Sequence, residues 1–165
     1  MKKFHIIIFL LFAVGNSTWL RAQEPQVNPK NVEIAQRFNY YLENGFETID
    51  LLKVGSIDKT FFNLGTPRLV IYDKNDRTKK NLLNSFTLMV EPSDPKIQNK
   101  IFPTPSPAFG SGCKQFVTML PAQSKITFTE VTLNVTLPVA VQPAPGSKHK
   151  LGPGMLPIAF FLYIK

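Results

Sequence analysis

Apolar and polar positions alternate along KITFTEVTLNVTLPV (Lys125–Val139), but the alternation changes phase partway. Ile126 and Phe128 are even-numbered, whereas Val131, Leu133 and Val135 are odd-numbered. A period of two predicts a half-buried strand. The phase change predicts one extra residue near Thr129-Glu130, a β-bulge that returns both apolar runs to one face while bending the strand. In the closing stretch LPIAFFLYIK, Ile158, Phe160 and Leu162 alternate with Ala159, Phe161 and Tyr163, so it is apolar on both faces. Such a strand belongs inside a sheet with both faces covered, or lays one face on a neighbouring molecule. RLVIYD and SFTLMVE read as further strands, the second with Phe86, Leu88 and Val90 on one side. Gly65-Thr66-Pro67 and Lys74-Asn75-Asp76 are the breaks between them.

NVEIAQRFNYYLENGFETIDLLKV fits two patterns. As a helix it lines up Ile34, Phe38, Tyr41 and Leu42; as a strand, Val32, Ile34, Phe38, Tyr40 and Leu42. Asn44-Gly45 favours a hairpin, because a two-residue type I′ turn there sets Tyr40 opposite Ile49 and Phe38 opposite Leu51, all on one face. Residues 92–112 carry five prolines and no period. They read as a long loop, whose Ile101, Phe102 and Phe109 either tuck onto the core, the favoured outcome, or form a sticky edge. CKQFVTML predicts a helical turn or two with Phe116, Val117 and Leu120 on one face, stopped by Pro121. Many short strands and little helix predict an all-β chain, an antiparallel β-sandwich of Ig-like type with one short helix.

The first residues follow another logic. MKKF is basic, HIIIFLLFAV apolar and GNSTWLRAQ small and polar, the layout of a secretory signal peptide. The apolar run Ile6–Val14 is nine residues, against roughly 20 for a membrane-spanning helix. The expected division is a signal peptide over 1–23, a flexible lead-in over 24–31 and a single domain over 32–165. The mature chain is then exported, periplasmic or secreted, with no membrane span. Losing Lys2, Lys3 and Arg21 from 19 basic residues leaves 16 against 11 acidic ones. That mild, scattered excess is no nucleic-acid footprint. Cys113 is the only cysteine, so no internal disulfide supports the fold.

The sequence marks out no catalytic residue, no metal site and no cofactor. His149 is the only histidine beyond the leader, and Lys148 and Lys150 beside it oppose its protonation. There is no clustered His/Cys set, no complete calcium loop and no phosphate-binding glycine loop. The reading is therefore a non-enzymatic module that works by contact with another protein. Its candidate binding residues are Phe102 and Phe109 in the proline-rich stretch, Lys79 and Lys80 in the basic turn, and Tyr163 in the last strand. The alternative is a glycan- or peptide-binding module, which needs an exposed aromatic platform or a groove lined by Tyr40, Tyr41, Tyr72 or Tyr163.

From Ser85 onward the order of elements resembles a known family. The strand SFTLMV precedes the helix CKQFVTMLPA, then SKITFTEVTLNV, the turn PAPGSKHKLGPG and the terminal LPIAFFLYIK. With KITFTEV and FFLYIK carrying the match, residues 85–165 resemble the C-terminal β domain of the gliding-motility protein M family. That family forms the periplasmic shaft of the type IX secretion and gliding apparatus. The leader ending RAQE is similar to signal peptides of Bacteroidetes bacteria. The resemblance implies a partner in a cell-envelope machine. The shaft proteins are longer, with a membrane helix and several such domains, and a single domain with a cleavable leader departs from that plan.

Overall fold

The computed structural model describes residues 29–135, 137, 154–156 and 159–165. The expected leader, most of the lead-in and His149 lie outside them.

Pro29 opens helix α1 (Pro29–Gln36), a first-turn position where its fixed φ suits the helix and its missing N–H is not needed. The chain then turns directly into strand β1 (Phe38–Glu43). The helical and extended patterns read from this stretch both exist, one after the other, and the helix takes up the end of the expected lead-in. Carbonyls at the end of α1 have partners. Ile34 O accepts from Arg37 N (3.2 Å), Ala35 O from the Tyr40 hydroxyl (2.7 Å) and Gln36 O from Lys74 Nζ (2.5 Å). This meets the need of carbonyls that the helix itself leaves open.

β1 pairs antiparallel with β2 (Thr48–Asp50) and β4 (Arg68–Asp73), giving a three-stranded sheet in the order β2-β1-β4. The hairpin register corrects the expected one. Leu42, not Tyr40, stands opposite Ile49, and Asn44–Glu47 form a four-residue loop in which only Gly45 has positive φ. The slip is two residues, so every side chain keeps the face that the alternation assigned to it.

The second sheet has the order β3-β8-β7-β5-β6. Its strands are β3 (Ser56–Ile57), β5 (Leu83–Glu91), β6 (Lys100–Thr104), β7 (Lys125–Leu133) and β8 (Phe160–Ile164). β3 runs parallel to β8, so the expectation of a wholly antiparallel arrangement is corrected to a mixed sheet. The expectation of one helix is corrected too. Besides α1 there are α2 (Thr60–Asn63) and α3 (Ser111–Thr118), the last being the helix expected from CKQFVTML. Within the proline-rich stretch, residues 100–104 are a strand rather than loop. β6 lies at the sheet edge with Pro103 opposite Thr87, and outward-facing positions of an edge strand need no N–H.

The bulge falls where the phase change placed it. Thr87 pairs with Thr129 but Ser85 with Thr132, so β7 carries one extra residue there, offset by one in β5 before Leu83 pairs with Leu133, and Glu130 adopts φ 50°. Ile126, Phe128, Val131 and Leu133 are consequently all buried. Beyond the bulge, Gly154–Leu156 continue the pairing on the β8 side. Leu133 N donates to Gly154 O (2.9 Å) and Leu156 N to Val131 O (2.7 Å). Gly154 has φ 74°, and a Cβ there would stand 2.6 Å from Leu133 O, so no larger residue fits.

Inward residues of both sheets join one hydrophobic cluster. Tyr40 of the small sheet meets Phe160 of the large one with ring centroids 4.5 Å apart. Phe62, Phe86, Phe109 and Phe128 form a chain of tilted and edge-on rings through the interior, the geometry aromatic pairs prefer. The outer edge of β4 is also occupied. Leu69 N donates to Pro107 O (2.9 Å), Leu82 N to Ile71 O (2.9 Å) and Ile71 N to Asn81 Oδ1 (3.0 Å), which removes an edge that would otherwise invite another strand.

Candidate contact surface

β5, β7 and β8 bury one side and leave the other outside. Because directly opposed residues of paired strands point to the same face, the register defines what that outer face carries. Ile101 of β6 opposes Met89 of β5, Met89 opposes Thr127 of β7, and Thr127 opposes Phe161 of β8. These four side chains make an apolar row across the sheet, roughly 14 Å long at about 4.8 Å per strand. Ile101 is 62% exposed; Met89 and Phe161 are half-buried. The next row is Glu91, Lys125, Tyr163 and Ser56. Lys125 Nζ lies 3.4 Å from Glu91 Oε2 and 5.7 Å from the Phe161 ring centroid, and Tyr163 packs edge-on against Phe161 at 5.9 Å. On the other side the rows turn polar. Thr87 Oγ1 donates to Glu130 Oε2 (2.7 Å) and the Ser85 and Thr132 hydroxyls are hydrogen-bonded. The face is thus apolar in the middle, and its nearest cation and anion neutralise each other.

Thr127 sits at the centre of the row, 7% exposed. Its Oγ1 has no hydrogen-bond partner among the described residues. A buried hydroxyl left unsatisfied costs about 1–3 kcal/mol, and valine would fill the same space without that cost.

The residues singled out from the sequence do not converge. Tyr163 lies on this face and is 39% exposed. Phe102 is half-buried on the opposite side of β6, its ring 5.6 Å from Phe116 of α3, with Lys100 Nζ 4.4 Å above the Phe116 ring. Phe109 is withdrawn from any surface, since it is buried among Phe62, Phe86 and Phe128. That corrects its assignment as a contact residue: an aromatic that fills the junction of α2 and the large sheet is not presented to a partner. Lys79 and Lys80 are exposed in the loop after β4, away from this row. Sequence reasoning missed Met89, Ile101 as a strand residue, Thr127 and Phe161 as members of one row. Only the pairing register joins them.

The four tyrosines do not come together. Tyr40 is buried, and burial raises its hydroxyl pKa above the ordinary range. Tyr41 and Tyr72 are half-buried on the outer face of the small sheet, rings 6.0 Å apart, flanking the buried Val70. Beside them Arg68 donates to Glu43 Oε2 through Nε (3.2 Å) and Nη2 (2.9 Å). Burial, with Glu43 next in effect, also raises the Tyr72 pKa.

Reactive chemistry is sparse among the described residues. Burial pushes the Cys113 thiol up to about 12, which leaves no thiolate to attack or bind metal near neutrality. No group of three or more His, Cys, Asp or Glu among them is placed to hold a metal ion, and no helix among them is long and apolar enough to cross a membrane. Comparison with protein-family models, with curated proteins and with solved structures finds no match to this chain.

Proposed function

We propose that this chain is an exported, non-catalytic protein–protein contact module of the bacterial cell envelope, built as an Ig-like β-sandwich. Its contact surface is the outer face of the five-stranded sheet. One observation carries the reading: the row Ile101–Met89–Thr127–Phe161, with an orphan hydroxyl at its centre and Tyr163 beside it. A solvated sheet face alternates toward polar residues, whereas an apolar centre with a polar rim is the anatomy of an interface. The closed Lys125–Glu91 pair suits a neutral protein surface better than a polyanion. The resemblance of residues 85–165 to the gliding shaft domain makes a component of the secretion and gliding machinery the proposed partner. Cross-sheet packing of Tyr40 on Phe160 supports the sandwich.

The test is affinity capture from envelope extract with the processed chain and with a Met89→Lys, Ile101→Glu variant. The proposal expects a specific partner retained by the first and lost by the second at unchanged melting temperature. Equal retention by both removes this face from the account.

A further inference from the structure

The β1–β2 turn is braced beyond the needs of a connection. Asn44 is 1% exposed and uses all its polar atoms. Its N–H donates to Glu47 O (3.2 Å) and its carbonyl accepts from Thr66 N (3.2 Å). Its Oδ1 accepts from Phe46 N (2.9 Å) and Glu47 N (2.8 Å), and its Nδ2 donates to Phe61 O of α2 (3.0 Å). Gly65 presses against the same residue with φ 55°; a Cβ there would stand 1.8 Å from Asn44 O. Turn, helix α2 and the loop after it are therefore locked together. What this rigid unit presents to solvent is Phe46, 80% exposed, with Leu64 also exposed on the adjoining loop. The Phe46 ring edge lies over Gly65, Cε2 3.4 Å from the site a Cβ would take.

Two cations near this knob have hydrogen-bond partners, Lys114 on a neutral carbonyl and Arg68 on a carboxylate. Lys114 Nζ donates to Gly65 O (2.9 Å), and Arg68 is paired with Glu43. The Glu47 side chain is exposed, and no hydrogen bond or ion pair engages its carboxylate among the described residues.

Loop tips ordinarily carry small polar residues, because an exposed aromatic gains nothing from being held still. An aromatic held in place in advance loses little freedom on binding, and aromatics dominate the energetic centres of interfaces. We infer that the Asn44–Glu47 turn is a second, independent contact site, an anchor that inserts Phe46 into an apolar pocket of a different protein, with a cation at the pocket rim meeting Glu47. The exposed carboxylate of Glu47, next to Phe46 in the chain, favours such a pocket over a membrane, since anionic headgroups repel it, while the nearby Lys114 Nζ is turned to Gly65 O.

The experiment places the photoreactive p-benzoylphenylalanine at position 46, irradiates the processed chain in envelope extract and identifies the adduct by mass spectrometry. Unlabelled chain competes, as do its Phe46→Ala and Glu47→Lys variants. Both exposed changes leave the melting temperature in place. The inference expects an adduct to a different protein, mapped to an apolar pocket, with each variant competing about tenfold less well than the unaltered chain. Equal competition by Phe46→Ala, no protein adduct, an adduct only at twice the chain's mass, or binding instead to phosphatidylglycerol–phosphatidylethanolamine vesicles each overturns it.

Discussion

Glu130 occupies the left-handed backbone region (φ 50°) and accepts a hydrogen bond on its carboxylate from Thr87 Oγ1 at 2.7 Å. The residue that supplies the bulge is thus tied to the neighbouring strand at the point where the pairing slips. The bulge puts Val131 and Leu133 in the core beside Ile126 and Phe128. Deleting Glu130 turns one of these runs toward water, and the chain is expected to lose more than about 4 kcal/mol or fail to fold. Glu130→Gly relieves the backbone but gives up the hydrogen bond, so its net change is expected within about 1 kcal/mol. Glu130→Val keeps the strain without the bond and falls between the two. Urea unfolding of the three variants checks this order.

Asn44 and Gly65 act on each other. Asn44→Ala leaves the buried Phe61 O and two turn N–H groups without their partner and is expected to cost about 2–4 kcal/mol. Gly65→Ala forces a methyl onto Asn44 O at positive φ and is expected to cost a similar amount. The methyl at position 65 meets the Asn44 backbone oxygen, whereas Asn44→Ala removes side-chain bonds, but both loosen the same turn, so the double variant is expected to be less destabilised than the sum. A double-mutant cycle by thermal or urea unfolding reads this out.

Asp73 gives the chain an acid-sensitive contact. Arg37 donates to its Oδ2 through Nε (2.8 Å) and Nη2 (2.5 Å), and the Asn75 N–H donates to Oδ1 (2.9 Å). Arg37 first, then that N–H, holds the carboxyl below its ordinary 3.8. A lowered folded value means stability that is fully present above 3.8 and is lost as pH falls through the lowered pKa. Arg37 is largely exposed, so the contribution is expected below about 1 kcal/mol. The stability gap between the native chain and Asp73→Asn is expected to be constant from pH 5 to 7 and to close below pH 4.

Cys113 is buried in the cluster beneath α3. With its thiol pushed up to about 12 by burial, it is expected to resist a disulfide reagent at pH 8 in the folded chain and to react at once in denaturant. Fast reaction without denaturant contradicts the packing of α3.

Much of this architecture is legible in the sequence, and the misses have physical causes. The bulge follows from parity alone. β8 does lie between β3 and β7, but the expected cover on both faces is not met on its outer one, where Tyr163 is 39% exposed. The hairpin slipped by two because Asn44 makes its turn with its side chain, which a rule built on backbone φ does not see. Helix α1 and β1 were entangled because Ile34 and Phe38 satisfy both periodicities. β6 was hidden by prolines, one of which, Pro103, sits within it at a sheet edge. Phe46 did leave a signal, an aromatic directly after Asn-Gly. The outer row left none, since Met89, Ile101, Thr127 and Phe161 are scattered along the chain and meet only through register.

Thr127→Val separates stability from contact. Removing an unsatisfied buried hydroxyl without changing shape is expected to stabilise the free chain by about 1 kcal/mol. If a partner atom pairs with that hydroxyl, the same change weakens binding, so stability and affinity move in opposite directions.

The claim that the outer sheet face is the working surface is tested most directly by calorimetric titration of the captured partner against the native chain and the Met89→Lys, Ile101→Glu variant. An affinity loss of about a hundredfold at equal melting temperature is the predicted result. Indistinguishable affinities contradict it.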